Sequence, residues 1–394
     1  MRLLMAATGP PTPGGKGYQV RLYNQILRLA SRHQITLLTF AGAAGADPDV
    51  AAACRKVVSI PHSSREAATA ALWHAPHLPL SVGLYADRRM AASLSAEVES
   101  GDYHLAQLQL VRMAPYLKEA AVLPVVLDLM DAAELNMRER ASTAAPGVRQ
   151  LLEVEARRLG VYERQAITQA DLSLLISERD LAFLGNPPRA RVQPNGIEPQ
   201  PLQGDPPPRA AGTVIFTGTM SYFPNSDAAV WFATEIWPLV RGAMPSAVCR
   251  IVGRAPTPAV KELAALPGVT VTGAVPQVAP ELARASVAVA PVRLGSGMLT
   301  KVLEAMAVGT PVVGTTKAME GIPDDLHQFL THADSAEEFA GQVERILRDP
   351  EPALKRAADG LAAIASRHTW RQSVEHLEAL YDEAIAGARR ADRP

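Results

Sequence analysis

Residues 291–313 read PVRLGSGMLTKVLEAMAVGTPVV. The stretch leaves an apolar strand (287–291), crosses a glycine loop (295–297) and enters a helix that carries Lys301 and Glu304. Gly309 stops that helix, and a second apolar strand follows at 310–314. A glycine loop that opens a helix offers free backbone N–H groups and the positive end of a helix dipole, which suits a phosphate. Lys301 and Glu304 are three residues apart and share one helical face. A cation and a carboxylate beside an anion site fit a phosphorylated sugar, the lysine for its charge and the carboxylate for its hydroxyls. The same spacing also describes a surface salt bridge on an ordinary helix, and the pattern alone leaves both readings open.

Outward from this stretch, strands and helices alternate along the whole chain. In the first half, apolar runs at 2–6, 35–40, 56–60, 103–110, 123–127 and 172–176 are separated by helical patterns, the clearest at 18–33 and 147–170. Residues 194–210, PNGIEPQPLQGDPPPRA, hold six prolines in seventeen residues and cannot form a helix or a central strand. The alternation restarts with strands at 214–217, 247–252, 269–272 and 287–291 and helices at 225–240, 258–265 and 278–285. Three helices close the chain, at 335–348, 352–366 and 369–386. Strands alternating with helices predict parallel β-α-β units. With 394 residues, two doubly wound α/β domains are expected. Their boundaries fall at 1–198 for the first domain, 199–210 for a proline-rich linker and 211–368 for the second domain. The terminal helix, 369–394, either stays with the second domain or crosses back to the first.

Composition excludes several classes. Hydrophobic residues make up 48% and charged residues 20%, which is globular and not disordered. A net charge of −1 gives no global attraction to nucleic acid. Cys54 and Cys249 stand alone, with no disulfide framework and no metal-ligand spacing, as in a reducing cytoplasm. The N-terminal apolar run is too short for a signal-peptide core and reads as a first strand. No apolar stretch reaches the ~18 residues of a membrane span. Arg21, Arg28, Arg32 and His33 lie on or near one early helix and are at most a peripheral membrane contact or, more simply, a solvated face.

The other motifs are weaker. The loop 7–17, ATGPPTPGGKG, follows the first strand. Gly9 and Gly14 have the Walker separation, but Gly15 stands where lysine belongs and no Ser or Thr follows Lys16. The dinucleotide pattern fails too, since Gly15 and Gly17 are followed by Val20 in place of a third glycine. Gly14 and Gly15 still permit close backbone approach to a ligand. Asp128 and Asp131 are placed just after the strand 123–127, where catalytic groups gather; Asp131 reads equally as a catalytic group or a helix N-cap. Asp47-Pro48-Asp49 reads as a turn and not a metal site. Gly218 and Thr219 follow the first strand of the second half and allow close approach to a ligand. Arg254, after the next strand, and Arg293, leading into the glycine loop, are candidate anion contacts.

Taken together, VIFTGTMSYFPNSDA (214–228), WPLVR (237–241), CRIVGRAPTP (249–258), GVTVTGAVPQV (268–278), GSGMLTKVLEAMAVGTPVV (295–313) and EGI (320–322) resemble the retaining glycosyltransferases of the GT-B fold, family GT4, in the style of bacterial exopolysaccharide-cluster sugar transferases. The resemblance is specific over about 190–380 and looser before it. It implies an α/β chain of two Rossmann-like doubly wound domains facing across a cleft. It implies an enzyme of the hexosyltransferase type that moves a sugar, with retention, from a nucleoside diphosphate sugar (UDP- or GDP-sugar) to a hydroxyl of a glycan, glycolipid or small molecule. No cofactor and no metal are implied, the nucleotide sugar being a co-substrate. The implied setting is a cytoplasmic monomer or homodimer, in solution or at the inner face of the membrane.

By the same resemblance, Glu304 binds the donor ribose. The backbone of Gly297, Met298 and Leu299, with Ser296 and Thr300 around it, cradles the diphosphate. Lys301 or Arg293 neutralises the leaving group. Val275 contacts the base through its backbone, and Gly14 and Gly15, with Lys16 beside them, form the first-domain loop that reaches the diphosphate. Asp131 orients or deprotonates the acceptor.

The chain also departs from the family. Ser296 replaces a common glutamate, and the loop GTMSYFPN lacks the usual Arg and Lys. No His lies near 123–131. These departures keep two alternatives in play, a nucleotide-sugar epimerase and a catalytically degenerate nucleotide-sugar-binding protein.

Overall fold

The computed structural model describes residues 1–41, 45–142, 144–198, 208–294 and 300–391, with the backbone alone for 389–391. The chain divides into two compact units. The first holds Met1–Gly196 and the chain from Trp370 onward, and the second holds Ile197–Thr369. The terminal helix Trp370–Ala391 therefore packs with the first unit. Of the proline-rich segment 199–210, residues 199–207 lie outside the described residues. Arg209 and Ala210 are hydrogen bonded within the second unit and do not hang free. Arg209 donates to the carbonyls of Ala285 at 2.8 Å and Gly309 at 2.6 Å, which end two helices, and Ala210 N–H donates to Arg284 O at 2.7 Å.

The first unit is built on a seven-stranded parallel sheet: β1 (Arg2–Ala7), β2 (Gln34–Ala41), β3 (Lys56–Pro61), β4 (Leu105–Gln109), β5 (Val125–Met130), β6 (Leu172–Leu175) and β7 (Ala190–Val192). Its order is β3-β2-β1-β4-β5-β6-β7. The second unit carries β8 (Thr213–Thr217), β9 (Val248–Val252), β10 (Val269–Gly273), β11 (Val287–Ala290), β12 (Val312–Gly314) and β13 (Thr331–His332), in the order β10-β9-β8-β11-β12-β13. Strands buried on both faces, such as Leu3–Ala7 and Val287–Ala290, are continuous apolar runs, as parallel sheets covered by helices require. In both sheets the order reverses beside the first strand, between β1 and β4 and between β8 and β11. That reversal opens a crevice at the carboxyl ends of the strands, where such sheets bind ligands.

Several expectations are corrected. The strand expected at 123–127 runs instead over Val125–Met130, so Asp128 lies inside it, fully buried. Its carboxylate cannot serve a substrate because Arg21, also fully buried, pairs with it at 2.8 Å. The helix expected at 225–240 is broken into Phe223–Trp231, a wide π-turn Phe232–Ile236 and Trp237–Ala243. Pro238 has no N–H to give to the preceding turn, which explains the widening. The early basic helix offers no cationic face. Arg21 is buried, Arg28 bonds to Asn24, and Arg32 and His33 pair with Glu378. Asp47 caps the short helix Pro48–Ala53 by accepting from Asp49 N–H.

Arg21 sits at the centre of a buried polar network. Its Nε donates to Asp128, and one Nη donates to Gln193 O at 2.9 Å and to Asn195 Oδ1 at 2.7 Å. Gln25 and Gln107 extend the network to the hydroxyl of Tyr381, and Gln193 reaches Ser373. Helix Gly17–Leu29, β4, β5, the segment after β7 and the terminal helix are thereby joined. Arg21→Met leaves the Asp128 carboxyl in the core without its cationic partner. It is expected to destabilise the first unit by about 3–5 kcal/mol, read as a lowered unfolding midpoint in urea. Arg21→Lys cannot reproduce the three-way fork and should recover little of the loss.

Candidate active site

In the first unit a non-glycine residue with positive φ stands at the carboxyl end of each of two neighbouring strands: Leu110, just after β4, at φ 70° and Met130, the last residue of β5, at φ 67°. Such residues are strained and concentrate at functional sites. Both line a cavity of about 410 Å³, together with Tyr18, Ser81, Arg112, Asp131 and Asn136. The register of β5 against β6 shifts between Asp128 and Met130, and this bulge re-aims the chain at Asp131.

Asp131 does not cap the following helix, Ala133–Ser142. Carboxylates from elsewhere do so: Glu163 accepts from Ala133 N–H at 2.8 Å, and Asp180 accepts from Ala132 N–H at 3.1 Å. Asp131 Oδ1 is buried with no hydrogen-bond partner. Burial pushes the Asp131 carboxyl up to about 7, and the nearby Asp180 adds to the rise; the Asn136 amide and Arg21 oppose it. The cavity thus holds a carboxyl poised near neutrality, opposite the Arg112 side chain, which stacks over the Tyr85 ring at 5.7 Å.

The loop before helix Gly17–Leu29 is held from within. Gln19 Oε1 accepts from Lys16 N–H at 3.0 Å, and Gln19 Nε2 donates to Pro10 O at 2.8 Å. Gly14 is exposed, and a Cβ there would meet nothing within 4 Å. A Cβ on Gly15 would lie 2.8 Å from Gln19 and Thr12, so the turn itself requires this glycine. Lys16 is exposed.

In the second unit, the cradle residues Ser296, Gly297, Met298 and Leu299 lie outside the described residues. The helix that follows is Thr300–Met306, with Thr300 exposed. Lys301 is not in a surface salt bridge. Its Nζ donates to Asn225 Oδ1 at 2.5 Å and stands 4.4 Å above the Phe216 ring. Burial pushes the Lys301 ammonium down to about 7, and the Glu304 charge opposes that only in part. Glu304, on the same face, keeps an exposed carboxylate with no hydrogen-bond partner among the described residues. The protein around it displaces enough water to raise its pKa.

Gly218 and Thr219 lie at the carboxyl end of β8, beside the strand-order reversal. Asn225 Nδ2 donates to Thr219 O at 3.0 Å. A Cβ on Gly218 would lie 2.7 Å from Asn225 and 3.2 Å from Lys301 Nζ, so glycine leaves room for this pair. Arg254 is exposed, with its Nε 3.2 Å from Thr219 Oγ1. Gly253 lets the ends of β8 and β9 touch, since a Cβ there would be 1.7 Å from Gly218 O.

Arg293 differs from expectation. Asp227 holds it at 2.8 and 3.2 Å, and it stacks on the Trp231 ring at 4.9 Å. Arg293 is thus already engaged by a carboxylate, whereas Arg254 and Lys301 bond to the neutral groups of Thr219 and Asn225. Val275, half-buried, follows the edge strand β10 and packs against the second core. The structure thus gathers Gly218, Thr219, Arg254 and Lys301, and adds Asn225, which sequence reasoning missed although it stands in the quoted stretch 214–228. Arg112 and Asn136 were also missed. Neither carries a motif, and only the cavity groups them with Asp131. Among the described residues, no three His, Cys, Asp or Glu side chains gather as a metal-binding group.

Residues 211–349 match the family model described as glycosyl transferases group 1. No curated protein matches the chain. Solved structures resemble it over nearly its full length. Sucrose-phosphate synthase from Thermosynechococcus elongatus is 17% identical with a TM-score of 0.69, covering 98% of this chain and 99% of that one. HepE from Anabaena, solved with UDP, is 14% identical with a TM-score of 0.64, covering 96% and 99%. WaaG, a glycosyltransferase involved in lipopolysaccharide biosynthesis, is 14% identical with a TM-score of 0.65, covering 96% and 99%. At these identities the likeness establishes the fold.

The shifted carboxyl gives a test. The unfolded chain loses the Asp131 proton near the ordinary value of 3.8, well before the folded chain does at about 7. The folded chain thus binds more protons in this window, and stability falls as pH rises through it. Asp131→Asn should raise stability at pH 8 on the order of 1–2 kcal/mol, allowing for partial exposure, with a smaller gain at pH 5.5. Thermal melts of both proteins at the two pH values measure this.

Proposed function

We propose that this chain, a glycosyltransferase of GT-B fold with a group 1 domain, transfers a sugar with retention from a nucleoside diphosphate sugar to a hydroxyl acceptor. The observation that carries the donor assignment is the partly buried Lys301–Asn225 pair at the end of β8, with Glu304 open on the same helical face. A half-buried lysine with no carboxylate partner among the described residues favours an arriving anion. The diphosphate supplies the counter-charge that the site lacks, and its charge is what the site must stabilise as the leaving group departs. Arg254 beside Thr219 adds a second cation. Glu304 accepts the two vicinal hydroxyls of the donor ribose. UDP is the nucleotide we favour, because relatives of the same fold were solved with UDP or a UDP-sugar.

Asp131 binds and orients the acceptor hydroxyl in the first-unit cavity. The anomeric carbon–diphosphate bond breaks, the acceptor oxygen bonds to the same face of the sugar, and its proton passes to the departing diphosphate. The group 1 match supports transfer over isomerisation.

A panel of nucleotide sugars, screened for hydrolysis and for transfer, tests the reading; turnover of at least one is expected, and product isomers formed with no acceptor present would contradict it. Glu304→Ala removes charge-assisted bonds and should weaken UDP binding by roughly 1.5–3 kcal/mol, measured by isothermal titration. Unchanged affinity would refute the ribose role.

A further inference from the structure

The first unit exposes a group of large apolar side chains that its fold does not use. Trp73 is 78% exposed, Leu72 73% and Leu151 71%, and Leu80, Val154 and Val161 are also exposed. They come from helix Ser64–His74, the segment after it and helix Pro146–Gln169. Two partly buried sets of contacts lock these elements side by side. Arg158 donates to the carbonyls of Ala75 and Leu78, the latter at 2.6 Å. Glu155 accepts from Leu80 N–H at 3.0 Å and from Ser81 N–H at 2.8 Å. The apolar groups therefore lie on joined elements and form a surface of the kind that marks an interaction site.

Charge decides what covers it. Arg65 precedes Leu72 by seven residues and so shares its outward face. Arg157 lies between Val154 and Val161, which are also seven apart, on the outer face of the long helix. Arg65, Arg157 and nearby Arg88 are exposed and have no carboxylate partner among the described residues. The carboxylates on the same elements are taken: Glu66 by Arg89, Glu153 by Arg149, and Glu155 by backbone amides. An exposed Trp and Leu set among unpaired arginines matches the chemistry of an anionic lipid surface, with the apolar groups entering the acyl boundary and the guanidinium groups meeting phosphates.

We infer that this face of the first unit docks on an anionic bilayer. Ser81, whose backbone is held beside Leu80, lines the cavity that contains Asp131. Docking brings the rim of that cavity to the headgroup layer, which suits a lipid-borne acceptor. That last link rests on the proposed transfer reaction. The bilayer contact does not, so vesicle binding and nucleotide binding fail independently. The early basic helix, which sequence reading weighed for this purpose, is not involved, and among the described residues no helix is long and apolar enough to cross a membrane.

Co-sedimentation of the full chain with vesicles of equal parts phosphatidylcholine and phosphatidylglycerol tests the proposal. Binding is expected, weakened by salt and by omission of the anionic lipid. Trp73→Ser with Leu151→Ser should lower the partition by roughly tenfold or more while leaving UDP binding and the melting profile intact, because both side chains are exposed. Brominated acyl chains should quench fluorescence in the parent protein and quench it less in Trp73→Phe. Absence of vesicle binding, equal binding by the double variant, or a dimer that this variant dissolves without any vesicle binding in the parent would each overturn the inference.

Discussion

The buried pair of Arg21 and Asp128 organises the first unit. Taking two charges out of water is costly, and the geometry here compensates through directed bonds: Asp128 accepts the guanidinium Nε, while the same arginine grips Gln193 O and Asn195. One side chain thereby fixes the first helix against the fifth strand and against the chain that leaves the seventh. The terminal helix joins through Tyr381 and Ser373. The position of Asp131 follows, because β5 is pinned three residues earlier and then turned by the left-handed Met130. The placement of Asp131 is thus a consequence of a structural ion pair.

The second unit solves the same problem with different chemistry. Its sheet repeats the reversal of strand order, but the group held at the reversal is a lysine without a carboxylate partner among the described residues. Gly218 and Gly253 bring the ends of β8 and β9 close, and Asn225 uses both ends of its amide, one toward Thr219 and the other toward Lys301. Arg293, by contrast, is saturated by Asp227 and Trp231. Two arginines and a lysine near one strand end therefore have distinct duties, set by who already neutralises them.

Much of the architecture was legible in the sequence because parallel strands covered on both faces are unbroken apolar runs, and the long helices carry the 3.6-residue period over several turns. The short strands β7 and β13, at Ala190–Val192 and Thr331–His332, gave no such signal. Asp128 was misjudged because a buried carboxylate inside a strand looks, in sequence, like one just beyond it; only the partner 107 residues away distinguishes them. That Lys301 and Glu304 share one helical face could be read from local spacing. The cavity around Asp131 could not, because Arg112, Asn136 and Ser81 meet only through tertiary packing. The exposed Trp73 was equally silent, since an apolar residue in a helical pattern reads as core until its surroundings are seen.

On the reading proposed above, the second unit binds a diphosphate through Lys301. The lysine is held near neutrality, at about 7, so an arriving diphosphate should draw a proton onto it. Calorimetric titration of UDP at pH 8 in two buffers of different ionisation enthalpy measures that proton directly. Net uptake is predicted for the parent protein relative to Lys301→Met, with affinity falling as pH rises from 7 to 9. Binding with the same proton count and the same affinity in the two proteins would contradict the assignment.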